Sequence, residues 1–241
     1  VRHFLVEPER LAGDVVTIGG EDARHIATVL RLTAGATITV TCDGRRYDCR
    51  VTSTTADRVT ADVVKEIVTP PDPTPPLTLL QGIPKGKKMD DIVRMVTEAG
   101  VATVIPLITR WTEVKLDGET LLNKTHRWRA VAHAADKQSG SLARTTVTEP
   151  VKLAEAGRIA RSELKLVFWE EKAPSLKACL SLLPSPPASI ALLIGPEGGL
   201  AADEVETLQG QGFLPVSLGP KILRTETAGL TAVAALRYHF M

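Results

Sequence analysis

The sequence of 241 residues predicts an α/β protein in two consecutive parts: a small β-barrel carrying one helix, then an open α/β domain built on a parallel sheet. Three observations predict it. Pro70, Pro71, Pro73, Pro75 and Pro76 crowd one short stretch, and such residues lack a backbone donor and hold the chain stiff and extended. Before that stretch the apolar residues are β-branched and alternate in short runs; after it, apolar strands alternate with helical periodicities. The resulting division is residues 1–69 for the barrel, 70–76 for the linker and 77–241 for the α/β domain.

In the first part, Val15–Ile18, Ala36–Thr41, Tyr47–Thr52 and Arg58–Val64 read as strands separated by turn residues such as Asp43-Gly44. Glu21–Leu32, with Ala23, Ile26, Ala27 and Leu30 on one face, reads as the helix. In the second part the order is strand Leu77–Ile83, helix Lys87–Ala99 closed by Gly100, strand Val101–Ile108 and a long helix Glu119–Asp136. Strands at Leu164–Trp169, Ile190–Ile194 and Pro215–Leu218 then alternate with helices at Ser175–Leu183, Ala202–Gln211 and Thr227–Phe240. Strand followed by helix, repeated, is the pattern of a parallel sheet. Along the last helix, Leu230, Val233, Ala234 and Leu236 make an apolar set suited to a core or to a subunit contact.

Composition narrows the function class. Formal net charge is +1, so a nucleic-acid partner has to rest on local basic patches. No apolar run reaches membrane-spanning length, and Val1-Arg2-His3-Phe4 does not begin a signal peptide; a soluble, cytoplasmic protein is expected. Cys42, Cys49 and Cys179 have no zinc-ligand spacing and read as small buried apolar residues, although Cys42 and Cys49 flank a turn and could face each other across a hairpin. His126 and His133 share a helix face without accompanying carboxylates or cysteines, so no metal site is expected.

The residues most suggestive of chemistry lie in two loops after strands, Ile194-Gly195-Pro196-Glu197-Gly198-Gly199-Leu200 and Leu218-Gly219-Pro220-Lys221-Ile222-Leu223-Arg224-Thr225-Glu226-Thr227-Ala228. Loops beyond the carboxyl ends of parallel strands are where such sheets hold ligands, and glycine lets the backbone come close to one. Neither loop fits the dinucleotide fingerprint G-x-G-x-x-G. Gly82-Ile83-Pro84-Lys85-Gly86-Lys87-Lys88 is one residue short of a P-loop and has Lys88 where Ser or Thr is required.

Taken together, the two loops closely resemble those of the knotted SPOUT class of S-adenosylmethionine-dependent RNA methyltransferases, and within it the RsmE family, which methylates N3 of a uridine in 16S ribosomal RNA. Arg2-His3-Phe4, His25 with Val29-Leu30-Arg31, Lys85-Gly86-Lys87-Lys88-Met89 and Gln138-Ser139 extend the resemblance over nearly the whole chain. One departure is local: Gly140–Ala143 intervenes between Gln138-Ser139 and Arg144, where the family commonly has arginine almost at once.

The resemblance implies a PUA-like, RNA-binding barrel, a C-terminal domain with a deep trefoil knot, a homodimer, and a bent S-adenosylmethionine held largely by main-chain groups. The cofactor-site residues it implies are Leu193, Ile194, Gly195, Glu197 and Gly199 from the first loop. From the second they are Leu218, Gly219, Ile222, Leu223, Arg224, Thr225 and Ala228. Methylation at N3 requires loss of a proton flanked by two carbonyls. Arg224 is the candidate to stabilise the charge spreading onto those oxygens, and Glu226 or Glu197 to accept the proton. The bland alternatives are that Thr225 or Thr227 caps the last helix, that Glu226 only complements the positive N-terminal end of that helix, and that Glu197 braces its loop. Arg10, Arg31, Lys85, Lys87, Lys88 and Arg144 are the candidate RNA contacts; Arg127-Trp128-Arg129 adds an aromatic that reads as core rather than as a stacking platform. Rival readings are a ribose 2′-O-methyltransferase of the same class and a non-catalytic RNA-binding assembly factor.

Overall fold

The computed structural model describes residues 3–112, 118–171 and 173–241; Arg2, part of the motif read above, lies outside them. The chain folds into two compact units, one of Val1–Pro71 with Asp136–Ala143, the other of Asp72–Ala135 with Arg144–Met241.

The first unit is a curled six-stranded sheet in the order β1-β4-β5-β6-β3-β2. Its strands are β1 (His3–Val6), β2 (Leu11–Ala12), β3 (Val15–Gly19), β4 (Thr37–Cys42), β5 (Arg45–Thr54) and β6 (Arg58–Ile67). β1 runs parallel to β4; the other pairs are antiparallel. β1 and β2 are not evident from the sequence, because neither is long enough to display an alternation. The strands enclose Val16, Ile18, Ile38, Val40, Val51 and Val59, none more than 2% exposed.

The helix expected over 21–32 is shorter. Regular α1 covers Gly20–Arg24, and the backbone then widens through His25–Val29, with the Leu30 amide reaching the His25 carbonyl five residues back (2.9 Å). Arg31 ends it in the left-handed region (φ 50°). Ile26 is buried by this turn, so the apolar pattern is real and only its winding differs.

Asp136–Ala143 belongs to the first unit, a membership that division at the prolines does not include. Three interactions account for it. Lys137 Nζ donates to Asp22 Oδ1 (2.8 Å), the Arg46 guanidinium donates to the Gly140 carbonyl, and His3 Nδ1 lies 3.4 Å from the Lys137 carbonyl. His3 Nε2 is 2.8 Å from the Thr41 hydroxyl; burial holds the imidazole below its ordinary pKa against the pull of the Lys137 carbonyl.

The second unit is a seven-stranded, fully parallel sheet. The order is β10-β8-β7-β12-β11-β13, with β9 also on β8. Its elements in chain order are β7 (Leu77–Gly82), α2 (Lys88–Glu98), β8 (Thr103–Ile108), α3 (Gly118–Ser139, of which the part from Asp136 counts with the first unit), β9 (Thr146–Val147), β10 (Val151–Lys152) and α4 (Ala156–Ile159). They continue with β11 (Leu164–Phe168), α5 (Leu176–Leu180), β12 (Ile190–Ile194), α6 (Ala202–Gly210), β13 (Leu214–Val216) and α7 (Thr225–Phe240).

Both faces are covered, which is why the central strands are apolar without a break. Leu79, Leu166, Leu192 and Ile194 point to one core with Trp128, Val233 and Leu236; Leu80, Val167, Ala191 and Leu193 point to the other with Val205, Leu208 and Phe213. Trp128 is therefore core, as read. Of the apolar set on α7, Val233 and Leu236 are buried, Leu230 is half-buried and Ala234 is exposed.

Cys42, Cys49 and Cys179 are free. The register explains why the first two do not meet: Cys49 sits opposite Ile38, and Cys42 opposite Arg45. Burial, with help from Asp48, pushes the Cys49 thiol up to about 11. At pH 8 the native protein is expected to leave Cys49 unreactive toward a thiol reagent while the half-buried Cys179 labels first, and unfolding in denaturant should release all three; mass mapping of labelled peptides over time checks the order.

Candidate cofactor and active site

The two loops meet. Beyond the carboxyl ends of β11, β12 and β13 lie two adjoining clefts of about 340 and 360 Å³ that share Phe168, Glu170, Ile222, Leu223 and Ala228 as a common wall. The first cleft adds Ser217, Leu218, Gly219 and Lys221; the second adds Ile194, Gly195, Glu197, Gly199, Arg224, Thr225, Glu226 and Lys88. Gly195 and Gly219, on separate loops, thus border two adjoining clefts with a shared wall.

Of the cofactor-site residues expected from sequence, all but Leu193 line these clefts. Leu193 is wholly buried on the opposite face of the sheet, because side chains alternate along β12 and Ile194 takes the cleft side. Arg10 and Arg31 belong to the first unit, where Arg10 lines a polar groove with Glu9, Asp57 and Arg58. Arg144 is exposed and opens the second unit's return. Lys85 and Lys87 are exposed at the turn before α2. In the other basic group, Arg127 pairs with Asp90 and Arg129 with Glu149.

A buried chain of hydrogen bonds fixes the loops relative to each other. Gln81 Nε2 donates to the Thr225 hydroxyl (2.9 Å) and to the Gly82 carbonyl (3.0 Å), and Thr225 Oγ1 donates to the Gly195 carbonyl (2.7 Å). Because Thr225 spends its proton on Gly195, it can only accept from the amide, so the Gln81 orientation follows. Thr225 therefore ties α7 to the first loop instead of capping the helix; Arg224 is the N-cap residue and its side chain caps nothing.

Glycine serves different ends in the two loops. Gly199 has φ 68°, and a Cβ there would collide with the Glu170 carboxylate. Gly219 has φ 122° with no atom within 4 Å of a Cβ position, so its backbone faces open cleft. Gly198 is pressed against Trp111, which leaves half of that indole exposed.

Charge gathers at the second cleft. Glu197 accepts from Lys88 Nζ (2.8 Å) and from the Lys85 amide (3.2 Å). Burial raises the Glu197 carboxyl, but Lys88 and the backbone donors outweigh burial and hold it below its ordinary value; the bond to Glu197 in turn raises Lys88. Lys88 also lies 3.9 Å from Glu226 Oε2, a buried oxygen with no hydrogen-bond partner, and Arg224 Nη1 lies 4.0 Å from Glu226 Oε1. The Arg224 side chain itself is 85% exposed. Lys88, expected to touch RNA, is thus held at the cleft by two carboxylates.

Sequence reasoning missed Gln81, Glu170 and Trp111. Gln81 carried a usable signal, since it is the one amide inside the apolar run Leu77–Ile83 and is wholly buried. Glu170 carried none, because a carboxylate after a strand is ordinary.

Comparison with known proteins gives the family of the chain. The model of an RNA methyltransferase domain matches residues 70–237, and that of an RNA methyltransferase PUA domain matches 18–64. The chain is 33% identical over 229 residues to ribosomal RNA small subunit methyltransferase E of Bacillus subtilis, covering 92% of this chain and 89% of that one. The chain belongs to the ribosomal RNA small subunit methyltransferase E family. The Aquifex aeolicus member is 30% identical over 241 residues, 97% of this chain and 98% of its own. A crystal structure of the Neisseria gonorrhoeae member bound to S-adenosyl methionine superposes with a TM-score of 0.87 at 30% identity, over 99% of this chain and 98% of that one. The family match and the superposition confirm the PUA-like first unit and the α/β methyltransferase second unit expected from sequence.

Two outcomes follow from the site's bonding. Thr225→Val keeps shape but leaves one N–H of the Gln81 amide and the Gly195 carbonyl without a partner, so it should cost about 1–3 kcal/mol of stability, measured by denaturant unfolding. The Glu197 pairing is fully present above the ordinary carboxylate range and is lost as pH falls through the depressed folded value, while the Lys88 side of it fails only at strongly alkaline pH. Glu197→Gln should accordingly flatten the acid side of the stability–pH curve, leave the shape near neutrality unchanged and lessen the loss at strongly alkaline pH.

Proposed function

We propose that this chain methylates N3 of a uridine in 16S ribosomal RNA, using S-adenosylmethionine held in the adjoining clefts. The observation carrying the reading is that the two family loops border adjoining clefts of small-molecule size, with apolar Ile222, Leu223 and Ala228 shared between them. The residues fit the cofactor: apolar Phe168, Ile222, Leu223 and Ala228 suit an adenine, and open backbone at Gly219 suits main-chain recognition. Ile194, Gly195, Gly199, Leu218, Gly219, Ile222, Leu223 and Ala228 would hold it; Leu193 can contribute through its backbone alone.

When bound, S-adenosylmethionine supplies a methyl carbon on a positively charged sulfur, which keeps the bonding electron pair as the carbon passes to N3. The proton leaving N3 goes to Glu226. Of the two candidate carboxylates, Glu197 is occupied by Lys88 and the Lys85 amide and is a weaker base for it, whereas Glu226 has an oxygen without a hydrogen-bond partner. Arg224, exposed beside Glu226, is placed to meet the charge that spreads onto the uracil carbonyl oxygens. Glu197 and Lys88 brace the loop between them.

The base must leave its stack to reach the cleft. Lys85 and Lys87 on the second unit, with Arg10, Arg31 and Arg144, are the phosphate contacts in this reading. The deep trefoil knot, a cytoplasmic location and a homodimer follow the family and belong to the same proposal.

Mass mapping of nucleosides in small-subunit ribosomal RNA from cells lacking the protein, with and without its return, tests the reaction; retention of 3-methyluridine without the protein would reject it. Loss of a 2′-O-methyl group instead would favour the rival enzyme, and no change in any nucleoside the assembly factor. With purified protein, Glu226→Gln should lower turnover by about 10²–10⁴, well beyond the effect of Glu197→Gln. Arg224→Ala should lower turnover far more than cofactor affinity. Equal effects of the two glutamate changes would remove Glu226 from the role of base.

A further inference from the structure

Glu170 follows β11 and lines both clefts, on the wall where they join. It is an exposed carboxylate with no hydrogen bond or ion pair among the described residues. The other carboxylates of the second cleft are differently placed: Glu197 is held by Lys88, and Glu226 lies near both Lys88 and Arg224. Room for Glu170 is made by its neighbour. A Cβ at Gly199 would collide with its Oε1, and Gly199 holds φ 68°, so the first loop is shaped around this carboxylate.

The residues read as holding the cofactor line both clefts, so a carboxylate on the wall they share faces the space that the bound donor would occupy. Resting on the reading of the clefts given above, we propose that Glu170 is a charge-selective residue that favours the cationic sulfonium of the methyl donor over the neutral thioether of the spent product. The two molecules differ by one methyl group and one positive charge. The adenine and ribose contacts that both share cannot separate them, whereas a nearby negative charge can. Selectivity of this kind loads the donor and speeds exchange of the product, because the attraction disappears with the transferred methyl. Glu170 is a specificity residue, not a participant in proton transfer.

Calorimetric binding to the full-length protein tests this without turnover. Glu170→Gln keeps the size and exposed setting of the side chain, and thermal melting confirms that it folds. Donor affinity should fall about fivefold, equal to about 1 kcal/mol, while affinity for S-adenosylhomocysteine should change by less than about twofold. Sinefungin, which carries a protonated amine in place of the sulfonium, should follow the donor. Raising the salt concentration should shrink the wild-type preference for the donor and leave that of Glu170→Gln unchanged. Equal losses for donor and product would overturn the proposal and assign Glu170 to the shared ribose instead. No change for either would also overturn it. Should the wild-type chain bind neither molecule, the reading of the clefts fails first, so the two failures are distinguishable.

Discussion

A single buried line of hydrogen bonds, from the Gln81 amide through the Thr225 hydroxyl to the Gly195 carbonyl, sets the site. It joins three elements far apart in sequence: the end of β7, the loop after β12 and the first turn of α7. An unpaired amide or carbonyl at such a depth is expensive, so the partners hold one another to a narrow range of positions. The cleft between the loops is consequently a built shape and not a chance gap.

Everything chemical hangs from that constraint. With Thr225 fixed, the residues on either side of it, Arg224 and Glu226, start α7 at the rim of the second cleft. With Gly195 fixed, Glu197 arrives within reach of Lys88, and the two carboxylates acquire different environments although both stand beside the same ammonium. Splitting a pair of like groups by surroundings is how a protein gives them separate duties. One becomes a structural brace, the other a candidate base.

The parallel sheet supplies the remaining geometry. All strands of the second unit run the same way, so β7, β11, β12 and β13 deliver their following loops to one edge. The alternation of side chains then decides which residues take part: Ile194 faces the cleft and Leu193 the opposite core. In the first unit, the clasp of Lys137 on Asp22 and of Arg46 on Gly140 shows how a short stretch can be recruited by polar interactions with no apolar signature of its own.

Much of the architecture was legible because it rests on local rules. Unbroken apolar strands between helical periodicities mark a parallel sheet, and β-branched alternation marks the barrel; both signals lie within a few residues of one another. The two loops were legible as motifs, and so was the family. What sequence could not decide depended on distance in space: that Thr225 bonds across to Gly195 rather than capping its own helix, that Lys88 is taken by Glu197 and Glu226, and that Glu170 stands at the junction of the clefts. Residue type determines what a side chain can do, but hydrogen bonds and ion pairs act over a few ångströms, and only the tertiary fold brings positions 81, 195 and 225 that close.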